Sequence, residues 1–222
     1  MWTPSLRSRV AIELLTLGLL TPTFLVVLPH RPFLLDLSLA LLALGLLGLN
    51  ARFTTAVVWA QFPSPVAPPD RLRFCGRKVL ALTLSGVLTV LGGGIVNGYA
   101  AGGWPEVCTR VANGWLLVAV CLYFPWALVQ QALFQFYLLG RLRVLLPPAA
   151  AITATGLAFA LTHLPDLEVT VAAAAVGISW AYLYNTYRVL SPLALSHAVL
   201  GATFYYWFYG RDLLRTWAHL GA

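Results

Sequence analysis

"QQALFQFYLL", residues 130–139, places Gln130, Gln131 and Gln135 inside an apolar run that extends from about 114 to 139. A run of that length crosses a bilayer as a helix, because roughly 20 apolar residues span the hydrocarbon. Three carboxamides inside it are costly unless they face one another, a partner helix or a wet cavity. The stretch therefore raises two questions together: what the chain dissolves in, and what the amides are for.

Composition answers the first. The chain has 222 residues, 60% of them hydrophobic and only 9% charged, with a mean hydropathy of +0.82. A soluble domain is nearer a quarter charged, so the bulk solvent of this chain is lipid. Apolar runs fall at about 10–28, 33–50, 79–97, 114–139, 149–163, 170–185 and 192–208, which predicts an all-α polytopic membrane bundle of about seven transmembrane helices. Helices are required, because an open strand leaves backbone groups unsatisfied in hydrocarbon. The chain reads as one integral membrane domain over 1–222. The first run, preceded by Arg7 and Arg9, is longer than a signal-peptide core and lacks a small-residue cleavage motif, so it reads as a retained span. Residues 53–69, apolar but short and proline-rich, read as a surface loop or a partial eighth element.

The net charge of +7 does not point to nucleic acid, because the cations are spread between apolar runs instead of forming one basic face. Counted on alternate sides with the N-terminus inside, Arg7, Arg9, Arg52, Arg71, Arg73, Arg77, Lys78, Arg141, Arg143 and Arg188 fall on the inner side. Arg31, Arg110, Arg211 and Arg215 fall on the outer side, a bias that favours an inside N-terminus. Richness in Leu, Ala and Arg with little Lys suggests a prokaryotic cytoplasmic membrane. Cys75, Cys108 and Cys121 have neither metal-type spacing nor an even number, so neither a zinc site nor a disulfide framework is expected. No cofactor is called for. The lipid bilayer is the one obligatory partner. The aromatic run "FYYWFYG", residues 204–210, reads as an interfacial belt.

Polar groups at membrane depth gather in three places. The first is Gln130, Gln131 and Gln135, behind the helix-disturbing Pro125. The second is Phe159 with His163, four residues apart in "FALTHL" and so on one helix face. The third is His197 with Gly201 in "PLALSHAVLG", again four apart. Each alone is better read as helix-to-helix glue, worth on the order of 1 kcal/mol.

In this order the three motifs resemble the CPBP family of intramembrane proteases, which includes type II CAAX prenyl endopeptidases and Abi-like bacteriocin-processing proteins. That family carries two glutamates with an arginine four residues on, then Phe and His four apart, then His with an asparagine or similar residue four apart. Here Phe159 and His163 keep the second motif and His197 keeps the head of the third. Gly177, Tyr184, Thr186, Leu190 and Pro192 look like the family's approach to that histidine. The resemblance covers a core of about 114–208.

The departures are Gln130 and Gln131 for the glutamates, Gln135 for the arginine with Phe134 still before it, and Gly201 for the asparagine. The resemblance implies that the first glutamate activates water and that the histidines and asparagine hold the oxyanion. A carboxamide has no oxygen that titrates near neutral pH and cannot take that proton. Replacing every member of a buried ion group by neutral partners need not destabilise, whereas removing one member costs roughly 3–5 kcal/mol. The three replacements are consistent as a set.

The sequence therefore predicts a polar cavity built from Gln130, Gln131, Gln135, His163 and His197 and lined by Phe134, Phe159 and Gly201. Two uses compete. One is cleavage of a membrane-proximal peptide bond with a histidine as base. The other is non-catalytic capture of a transmembrane helix, a lipid-modified peptide or a partner protein. Cys121 as a nucleophile, and Asp166 or Glu168 folding back from the loop after His163, are minor alternatives. Span parity sets His163 and His197 at different depths, so a shared cavity requires the sixth segment to be tilted, broken or partly re-entrant. Gly156, Pro165 and Ser191–Pro192 are the places where helices could break.

Overall fold

The structure, a computed structural model, describes residues 6–8, 10–15, 56–62 and 64–211. Among these every regular element is helical, as a chain dissolved in lipid requires. In chain order they are α1 (Ala56–Ala60), α2 (Pro68–Val111), α3 (Leu116–Gln131), a π-helical turn (Ala132–Leu138), α4 (Leu139–Leu145), α5 (Pro148–Leu161), α6 (Leu167–Tyr187), α7 (Ser191–Thr203) and a second π-helical turn (Phe204–Phe208). Residues 6–8 and 10–15 are also helical.

Three helices are long and apolar enough to cross a membrane: α2, the continuous run Leu116–Leu145, and α6. They account for the expected spans at 79–97, 114–139 and 170–185. The fifth expected span, 149–163, is the shorter helix α5, which rises about 21 Å against about 30 Å of hydrocarbon. The seventh falls on α7 and the second π-helical turn. The second span and the first beyond Leu15 lie outside the described residues.

The chain divides into two compact units, one formed by residues 1–65 and 132–186, the other by 66–131 and 187–222. In the first, Val10, Val58 and Val144 form a buried cluster covered by Leu6, Leu14, Phe62 and Leu145. Trp59, on α1, donates its indole N–H to the carbonyl of Phe136 at 2.7 Å and meets Tyr184 edge-on. The proline-rich segment thus begins with a short docked helix, the partial element that its composition allowed. Gly156 does not break α5. It lets α5 and α6 touch: a Cβ there would lie 2.4 Å from the backbone nitrogen of Ile178, and one on Gly177 would lie 2.9 Å from the Phe159 ring. Small residues at a membrane helix crossing allow this approach.

In the second unit α2 and α3 both pack on α7. Ala119, Ala202 and Tyr206 are buried together beneath Leu116, Val120, Tyr123, Tyr205 and Trp207. Thr83 donates to Ser196 across α2 and α7 at 2.7 Å. Further along α2, a Cβ on Gly94 would meet the Trp207 carbonyl at 2.7 Å. The second π-helical turn ends on the Phe208 carbonyl, which accepts from Asn97 at 2.8 Å and Arg110 at 2.9 Å. Arg110 is itself paired with Glu106 at 2.7 Å. The aromatic run at 204–210 is therefore partly a packing element, with Tyr206 buried.

α2 bends at Gly102 and Gly103. Gly103 has φ +70°, a conformation that side chains with a Cβ rarely adopt. Pro125 behaves differently from expectation: α3 continues through it to Gln131. The ladder widens seven residues later, at the π-helical turn.

Candidate functional site

Four of the residues singled out by sequence lie in the second unit: Gln130, Gln131, His197 and Gly201. Tyr123, Ala127 and Gln131 follow one another at four-residue steps on α3 and so share the face that meets α7. His197 and Gly201 are spaced likewise on α7. The result is a buried cluster in which Tyr123 Oη lies 3.2 Å from His197 Nε2 and Gln131 Nε2 lies 3.5 Å from His197 Nδ1. Gln131 is 1% exposed and His197 4%.

A carboxamide NH2 can only donate. The orientation drawn therefore makes Nδ1 the acceptor and puts the imidazole proton on Nε2, where it faces the phenol oxygen. Turning the amide over reverses both roles. Neither arrangement calls for a charge. The 3.5 Å contact is at the long limit for a hydrogen bond, and the Oε1 atoms of Gln130 and Gln131 are buried without a hydrogen-bond partner among the described residues.

Gly201 has a steric reason. A Cβ on it would come within 2.8 Å of the Tyr123 ring, and that ring meets His197 edge-on with centroids 5.5 Å apart. Tyr123 fills the room that an asparagine side chain at 201 would need, and its hydroxyl supplies a polar atom to the same histidine. Sequence reasoning missed Tyr123. The available signal was its position eight residues, two helical turns, before Gln131.

The remaining four lie in the first unit: Phe134, Gln135, Phe159 and His163. Phe159 is the centre, with Phe134 at 5.3 Å, His163 at 4.9 Å and Trp180 at 5.7 Å, all edge-on. α5 ends at Leu161, so His163 sits on the turn beyond the helix and not on its face. Its contact with Phe159 survives because Nδ1 lies 3.1 Å from the Phe159 carbonyl. A carbonyl only accepts, so Nδ1 is a protonated, donating nitrogen. His163 is half-buried.

Gln135 lies on the first π-helical turn, 0% exposed, and neither atom of its amide has a hydrogen-bond partner among the described residues. Two residues on, the Tyr137 hydroxyl hydrogen-bonds Glu13, which also pairs with the buried Arg141 at 3.4 Å. The Arg141 guanidinium lies 3.9 Å from the centroid of the Tyr137 ring. Glu13 is thus engaged in an ion group that joins the N-terminal helical stretch to α4, a long-range pairing that no local pattern announced.

The structure brings Gln131 to His197, and Phe134 and His163 to Phe159. The two histidines belong to different units. α6, the segment expected to be distorted, runs unbroken from Leu167 to Tyr187. Asp166 is exposed on the loop before it and Glu168 is exposed in its first turn, and Cys121 is exposed and free.

A family model matches this chain over residues 110–203: Rce1-like, described as type II CAAX prenyl endopeptidase Rce1-like. The matched segment contains all eight of the residues above, and the match is consistent with the CPBP resemblance of the sequence. No curated protein and no solved structure matches the chain.

Proposed function

We propose that this CAAX-protease-like membrane protein holds a membrane-proximal peptide at the Gln131–His197–Tyr123 cluster without cutting it. The family match and the membrane-length helices support the general class. What favours binding over hydrolysis is one observation: at 3.5 Å from Nδ1 of His197 stands a carboxamide, Gln131. Water attack on a peptide bond needs a group that accepts a proton near neutral pH, and an amide at that place supplies none.

The same atoms suit recognition. A peptide group offers one N–H and one C=O, and Gln131 offers an Oε1 without a hydrogen-bond partner among the described residues together with an NH2 whose contact to His197 is long enough to be exchanged. A lipid-modified or transmembrane peptide would reach such a cluster from the bilayer.

The test is fluorescence anisotropy of a labelled, prenylated C-terminal peptide with the purified protein in nanodiscs. We expect saturable binding that weakens about tenfold or more in Gln131→Leu, the size of a lost buried hydrogen bond at roughly 1.4 kcal/mol. Equal binding by wild type and Gln131→Leu would remove the site from this role.

One observation favours hydrolysis as a second reading: Nδ1 of His163 faces the Phe159 carbonyl at 3.1 Å, which leaves Nε2 as the ring nitrogen turned away from the backbone. In that reading His163 takes a proton from the attacking water. Its test is loss of peptide cleavage on His163→Ala with binding retained.

A further inference from the structure

We infer that the cation-bearing end of α2 is a docking surface for the headgroups of anionic phospholipids. The surface belongs to the outside of the second unit and does not depend on what the Gln131–His197 cluster does.

The straight part of α2 before its bend, residues 68–101, rises about 50 Å at 1.5 Å per residue. Hydrocarbon takes up about 30 Å of that. Residues 79–101 are uncharged and long enough for the crossing, which leaves the turns from Pro68 to Lys78 at headgroup level and beyond. Those turns carry Arg71, Arg73, Arg77 and Lys78 against one acid, Asp70.

The placement on the helix is specific. Leu80, Leu84 and Leu88 are 58%, 54% and 67% exposed and lie at four-residue steps, so they form one lipid-facing stripe. Continued towards the N-terminus, that stripe passes through Arg77 and Arg73, both exposed. A single helix face thus changes from leucine to guanidinium within one turn, where hydrocarbon gives way to phosphate. Phe74, next to it on the helix, is exposed as well.

The charge is uncompensated within the helix. Arg71 turns back, donating to the Val66 carbonyl at 2.9 Å, and Asp70 stands three residues before Arg73 and in the first turn, where it suits the helix dipole. No acidic residue stands three or four positions from Arg77 or Lys78, whereas Arg73 and Arg77 stand four apart and repel. Arginine forks match phosphate oxygens, so a phosphate-bearing lipid with net negative charge is the complement of this face.

The experiment uses the full chain, purified and reconstituted, with spin-labelled phosphatidylglycerol and spin-labelled phosphatidylcholine as probes. The motionally restricted fraction of each gives the relative association. We expect phosphatidylglycerol to be preferred, the preference to fall about fivefold for each cation removed in Arg73→Gln, Arg77→Gln and Lys78→Gln, and high salt to weaken it. Arg77→Lys, which keeps the charge, retains most of the preference and shows that a loss in the glutamine variants is not misfolding. Three results would each overturn the inference: equal association of the two lipids, a preference unchanged in the triple variant, or complete displacement by millimolar inorganic phosphate. Burial of this face against a second copy, seen as a dimer without restricted lipid, would do so as well.

Discussion

Tyr123 stands where a side chain on Gly201 would go, its ring carbon Cε1 2.8 Å from the position of a Cβ there, while its hydroxyl faces Nε2 of His197 at 3.2 Å. One aromatic residue therefore explains both an absent side chain and a neutral partner for the histidine. The cluster is closed by Gln131 on the other ring nitrogen.

This exchange of room between α3 and α7 predicts a compensating pair. Gly201→Ala should destabilise the protein by about 1–3 kcal/mol through overpacking, and Tyr123→Ala in the same chain should remove most of that penalty. Unfolding midpoints in mixed detergent and SDS micelles, arranged as a double-mutant cycle, measure the coupling. Additive effects would mean that the two residues do not share the space.

The crossing of α5 and α6 is less forgiving. A Cβ on Gly156 meets backbone, the nitrogen of Ile178 at 2.4 Å, which no rotamer change can relieve. Gly156→Ala should cost about 3 kcal/mol or more. Gly76 and Gly92, on α2, have nothing within 4 Å of an added Cβ, so alanine there should stabilise by up to about 1 kcal/mol through helix propensity. The opposite signs are readable from melting curves of the three variants.

Gln135 and Gln131 should respond in opposite ways to an apolar replacement of similar size. Both amide atoms of Gln135 are buried without a hydrogen-bond partner among the described residues, and such groups cost about 1–3 kcal/mol to keep. Gln135→Met is therefore expected to leave stability unchanged or raise it. Gln131→Met loses the contact to His197 and should lower it. A clear loss in Gln135→Met would show that its amide is held.

Much of the fold was legible in the sequence for a simple reason. An uncharged apolar run of about 20 residues has one way to satisfy its backbone in lipid, and α2, the run through Gln131, and α6 lie where such runs are. That Gln131 and His197 turn towards protein was legible, because polar groups at membrane depth avoid lipid, but which of them would meet was not. Tyr123 was not, since a tyrosine in an apolar helix looks like packing until its partner is placed. Nor were the π-helical turns at Ala132–Leu138 and Phe204–Phe208, because nothing in a uniformly apolar run marks a change from one ladder spacing to the next. The bend at Gly102 and Gly103 could have been anticipated from the adjacent glycines and Pro105. The pairing of Glu13 with Tyr137 and Arg141 joins residues more than 120 positions apart, and no local pattern encodes it.

The most direct measurement is mass-spectrometric detection of cleaved product from prenylated and transmembrane model peptides, incubated with the wild-type protein and with a Gln130→Glu, Gln131→Glu variant in the same bilayers. A carboxamide opposite His197 leads us to expect intact peptide from the wild type, with any product confined to the variant that regains carboxylates. Product released by the wild type and abolished by His197→Ala would contradict the non-catalytic reading.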